Sequence, residues 1–69
     1  MLRGISPIGK NIKNERKQKG SSQKRLSKLA DISYNTVLKL ESGGITNPSI
    51  DTLQKLAKAL NVSVDSLLR

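Results

Sequence analysis

Residues 22–41 read SQKRLSKLADISYNTVLKLE, and two short helices with a turn between them can be traced in this order of residues. Ser22 is a natural N-cap, because its hydroxyl oxygen can accept from a backbone N–H of the following turn. Leu26, Leu29 and Ala30 then recur three and four residues apart, the apolar stripe of a short amphipathic helix. Asp31-Ile32-Ser33 is a short turn. Ser33 caps a second helix, roughly 34–41, with Val37, Leu40 and Glu41 on one face. The unit is helix, three-residue turn, helix.

The same chemistry extends outward in both directions. Pro7 suits a helix start, and Ile8, Ile12 and Glu15/Arg16 follow at helical spacing until Gly20, a C′ residue. Ser42-Gly43-Gly44 ends the third helix, and Ile45-Thr46-Asn47-Pro48 is a loop. Ser49 caps a fourth helix carrying Ile50, Leu53, Leu56, Ala57 and Leu60. After the Asn61-Val62 turn, Ser63 caps a last short helix with Val64, Leu67 and Leu68, and with Asp65 where the dipole favours a carboxylate. No stretch alternates as a strand does. The sequence predicts an all-α bundle of five short helices over 8–69, preceded by a flexible arm at 1–7.

Sixty-nine residues allow one small domain. With no Cys and no His, disulfides, His or Cys catalysis and the usual zinc sites are excluded. No apolar run approaches the roughly 18 residues of a membrane span, and residues 1–7 lack the apolar core of a secretory leader. A cytoplasmic protein is expected. The net charge of +8 is uneven, because residues 1–40 hold ten Lys or Arg against Glu15 and Asp31, whereas the remainder is balanced. Such asymmetry points to a polyanion, either nucleic acid or an anionic membrane surface. Lys24 and Arg25 sit in the first turn of the second helix, where the dipole opposes a cation by roughly a few tenths of a kcal/mol each. A phosphate placed there reverses that sign.

On a helical wheel centred on Val37, the third helix turns Asn35, Leu38, Lys39 and Ser42 to the opposite side. An Asn amide can pair with adenine, a Lys can reach guanine, and an apolar side chain can meet a thymine methyl. A solvated amide, a surface lysine and a stray exposed leucine are the plainer readings of the same three residues.

Ile8-Gly9, Ile12, Arg16…Gly20, Ser22-Gln23, Leu26, Leu29-Ala30, Ile32-Ser33, Thr36-Val37, Leu40-Glu41, Gly43, Asn47-Pro48-Ser49, Leu53, Leu56-Ala57, Ala59-Leu60 and Val62-Ser63-Val64-Asp65 are collinear with one known pattern. Over about residues 8–68 the chain resembles the lambda-repressor-like (Cro/XRE) helix-turn-helix family. The resemblance implies a second helix of the motif lying in the DNA major groove. It adds Tyr34 to Asn35, Leu38 and Lys39 as a base or backbone contact, with packing as the plainer role for Tyr34. It implies phosphate contacts from Ser22, Gln23 and Lys24, from Ser33 and Thr36, and from Ser42, Thr46 and Asn47. It also implies a structural, partly buried ion pair between Arg16 and Glu41. The chain departs from the family at Glu15 and Ser21, often apolar, and at Asp31, usually glycine. The loop after the third helix is neutral where many relatives carry Lys or Arg. Lys10, Lys13, Lys17, Lys19, Lys24 and Lys28 are expected to be mainly solvated, with a subset adding salt-dependent affinity.

The leading expectation is therefore a sequence-specific regulator of transcription, a repressor, acting on double-stranded DNA. One such domain reads few base pairs, so a homodimer on a palindromic operator is expected, at least on DNA. Ile45, Val62, Val64, Leu67 and Leu68 offer apolar area for it, although the core is the favoured place for Val64 and Leu67. The second expectation is a protein-interaction module on the same fold, such as a coactivator or antitoxin. An enzyme is not expected, and neither is a cofactor, a small-molecule substrate or a membrane partner. Whether the chain is a whole regulator or the DNA-binding half of a longer one stays open.

Overall fold

The computed structural model describes residues 8–68. The expected arm at 1–7 and the terminal Arg69 lie outside them. The described residues form five helices and no strand: α1 (Ile8–Gln18), α2 (Gln23–Ala30), α3 (Tyr34–Ser42), α4 (Ile50–Leu60) and α5 (Val64–Leu68). None is long and apolar enough to cross a membrane.

The starts of α2 to α5 are each a serine with local hydrogen bonding. Ser22, Ser33 and Ser49 have extended backbones, and their hydroxyl oxygens accept from the N–H groups of Arg25, Thr36 and Thr52. Ser63 accepts from the N–H of Ser66 at 3.1 Å in the same way. The stops are equally local. Gly20, Asp31 and Asn61 are left-handed, with φ of 68°, 57° and 59°. After α2 and α4 the next residue donates back five positions, Ile32 N–H to the Ser27 carbonyl and Val62 N–H to the Ala57 carbonyl. This closes a Schellman motif at each end, and Ile32 and Val62 pack on the core as its apolar residue.

The core gathers one or two side chains from every helix: Ile12 of α1, Leu26 of α2, Val37 and Leu40 of α3, Leu56 and Leu60 of α4 and Leu67 of α5 are at most 2% exposed. Burying a Leu, Ile or Val of this size contributes about 1.5–3 kcal/mol. Two side chains expected in this layer lie outside it. Leu29 is 57% exposed and Ile50 63% exposed. On α2 the inward face is centred on Leu26, Ser27 and Ala30, so Leu29 falls on its flank. The small Ser27 is buried there, its hydroxyl donating to the Lys24 carbonyl at 2.6 Å. On α4 the inward face runs through Leu53, Leu56, Ala57 and Leu60, and Ile50 opens the helix beside it. The helix α3 also runs one residue further than expected, so Ser42 belongs to its last turn rather than to the loop.

Candidate nucleic-acid interface

The N-terminal turns of α2 and α3 build one side of the site. Capping uses only the oxygen lone pairs of Ser22, so its O–H remains available as a donor. Ser33 caps α3 at 3.0 Å and shares a 2.7 Å hydroxyl contact with Thr36. Tyr34 is 42% exposed, which rules out its packing role in the core. The Lys24 ammonium lies 5.7 Å from the Tyr34 ring centroid, within cation–π range. That contact joins the two turns and was not legible in the sequence, since it links residues on different helices.

Along α3, Asn35 and Lys39 are exposed and Leu38 is half-buried. Leu38, Lys39 and Ser42 line an open depression with Gln23 of α2 and Lys13 of α1. Lys13, expected only as one of the solvated lysines, is exposed and stands beside the outward face of α3. The Ser42 hydroxyl donates to the Lys39 carbonyl at 3.2 Å, a bond it must exchange before it can donate to another acceptor. Thr46 and Asn47 are both exposed. Thr46 lines a second depression with Ser42, Gly43 and Lys10. Lys10 of α1 thus places a cation beside the neutral loop.

Beneath this surface a polar junction ties three helices. Arg16 donates from Nε to Glu41 Oε2 at 2.7 Å and from Nη2 to Oε1 at 3.0 Å. Its Nη1 donates to the Ser21 carbonyl at 2.9 Å. A backbone oxygen does this work, so the serine at position 21 is no handicap there. The two side chains are 11% and 4% exposed. The hydrogen bond to Glu41 raises the Arg16 pKa, its charge adds to that, and burial opposes it. Glu41 Oε1 also accepts from Gln23 Nε2 at 3.0 Å. Three N–H donors on one buried carboxylate are the compensation that such a charge requires.

The helix-turn-helix family profile matches residues 12–67. The chain belongs to this helix-turn-helix family. It is 41% identical over 61 residues to the HTH-type transcriptional regulator SinR of Bacillus subtilis, covering 88% of this chain and 55% of that protein. It is 34% identical over 61 residues to the HTH-type transcriptional regulator PuuR of Escherichia coli, covering 88% of this chain and 32% of PuuR. The chain therefore spans about half or less of these relatives' lengths. A crystal structure of SinR in complex with DNA superposes with a TM-score of 0.88 at 40% identity, covering 90% of this chain and 98% of that one. In helix-turn-helix terms α2 and α3 are the motif and α3 is the recognition helix. The five-helix architecture expected from the sequence is found in the described residues, and it superposes on the SinR structure.

Proposed function

We propose that this helix-turn-helix chain is a sequence-specific double-stranded DNA-binding regulator of transcription, a repressor that acts in the cytoplasm as a homodimer on a palindromic operator. The observation that carries the reading is the outward face of α3. It presents Tyr34, Asn35 and Lys39 to solvent, flanked by two capped helix N-termini and by the α1 cations Lys10 and Lys13. Its likeness to SinR in complex with DNA supports the same reading. In it, Asn35, Leu38, Lys39 and Tyr34 meet base edges. Ser22, Lys24, Ser33, Thr36, Ser42, Thr46 and Asn47 meet phosphates, which set register and affinity. For the dimer surface, Leu67 drops out as fully buried, and Leu68, 45% exposed, is the residue to rely on, whereas Ile45, Val62 and Val64 are half-buried.

Selection from random duplexes, paired with sedimentation of the free and DNA-bound protein, tests this. A palindromic motif occupied by two chains is the expected result. Recovery of no motif would reject sequence reading and favour a protein-interaction module on the same fold.

A further inference from the structure

Glu41 accepts three N–H bonds, two from Arg16 and one from Gln23, and is 4% exposed. A carboxylate only accepts, so it distinguishes the two ends of the Gln23 amide. The NH2 group must face Glu41, and the carbonyl Oε1 must face away from it. Among the described residues Gln23 makes no other side-chain hydrogen bond, and Oε1 has no protein donor. Gln23 also lines the depression shared with Leu38, Lys39 and Ser42 of the recognition helix.

The polarity of that amide decides what it can meet. One amide N–H goes to Glu41 and the second stays free for an acceptor, but the outward carbonyl can pair only with a group that offers a proton, which a phosphate oxygen does not. A base amino group does offer one, and in the major groove these are adenine N6 and cytosine N4. We propose that Glu41 is a positioning residue for base recognition, holding the Gln23 amide carbonyl-outward so that this carbonyl accepts from a base amino group. The proposal rests on the DNA-binding reading above. Arg16 completes the arrangement by gripping both carboxylate oxygens, which stops Glu41 from turning away from Gln23. An amide fixed in advance loses less rotamer entropy on binding and discriminates against a flipped pairing.

The test is random-duplex selection with wild type, Gln23→Ala, Glu41→Gln, the double variant and Arg16→Lys, each held below its own melting temperature. In wild type, one motif position favours adenine or cytosine over guanine or thymine on the strand facing Gln23. Gln23→Ala and Glu41→Gln each flatten that position by about tenfold and leave the others unchanged. The double variant loses no more than either single one. Arg16→Lys keeps the charge but loses the two-point grip on Glu41, so it lowers the melting temperature and weakens that same position while leaving the others unchanged. If Glu41→Gln does not fold, Glu41→Asp takes its place, since it keeps a charge for Arg16 while shortening the reach to Gln23. The proposal is overturned if Gln23→Ala leaves every position intact, or if loss at Glu41 weakens all positions equally and adds to the loss at Gln23. A wild-type chain that selects no motif overturns the DNA-reading function itself, a result distinct from a motif indifferent to Glu41.

Discussion

Gly9 and Leu40 meet backbone to backbone: a β-carbon at Gly9 would overlap the Leu40 carbonyl oxygen and lie 3.4 Å from the Glu41 α-carbon. Glycine is required here for proximity, because the missing side chain sets how closely α1 approaches the recognition helix. Gly9→Ala adds helix propensity to α1, and propensity alone would make it stabilising. The overlap is with backbone, which cannot swing aside, so the two helices must part. We expect a net loss of about 1–3 kcal/mol, read as a lower midpoint in urea denaturation.

The Arg16–Glu41 pair gives an asymmetric expectation. Glu41→Ala strands a guanidinium that is 11% exposed and removes the acceptor of Gln23, for a loss of about 3–5 kcal/mol. Replacing both partners, Arg16→Met with Glu41→Leu, is expected to recover most of that loss, because no unpaired charge remains. Equal melting temperatures for the double variant and Glu41→Ala would contradict this. The folded-state pKa of Arg16 is raised, so its share of stability is fully present below the unfolded value and is lost only as pH rises through the folded one. Both lie at extreme alkali, and a thermal scan from pH 6 to 9 should show no step from Arg16.

Asp31 ends α2 with φ 57° and ψ 45°. A non-glycine residue pays for that conformation, and a carboxylate also opposes the negative end of the helix dipole. Both effects have the same sign. Asp31→Gly is expected to stabilise by up to about 1 kcal/mol, or roughly 4–8 °C in a domain this small. Calorimetry showing a lower melting temperature would refute it.

Phosphate and base contacts separate by their salt and sequence dependence. Lys10→Ala and Lys24→Ala are each expected to weaken all duplexes alike and to reduce the slope of log affinity against log salt by about 0.9. Asn35→Ala should leave that slope unchanged and cost about 1–3 kcal/mol on the preferred site alone. Fluorescence anisotropy titrations at several salt concentrations, on selected and scrambled duplexes, distinguish the two patterns.

Everything that closes within a turn of chain is legible in the order of residues. The four serine caps, the left-handed stops and the division into five helices depend on hydrogen bonds between residues three to five apart, and those residue types are written side by side in the chain. The resemblance carried by the collinear pattern supplied the recognition helix. The apolar stripes were legible in period but not in phase, as Leu29 and Ile50 show, because a stripe's edges are set by what faces them. The resemblance also supplied the pairing of Arg16 with Glu41, 25 residues apart, but folding alone added Gln23, 18 residues from Glu41, to that junction. Folding likewise set Lys24 over Tyr34 and brought Lys10 beside Thr46. These contacts depend on how three helices cross, and helix crossing follows from side-chain packing at the junction, with Gly9 setting the closest approach.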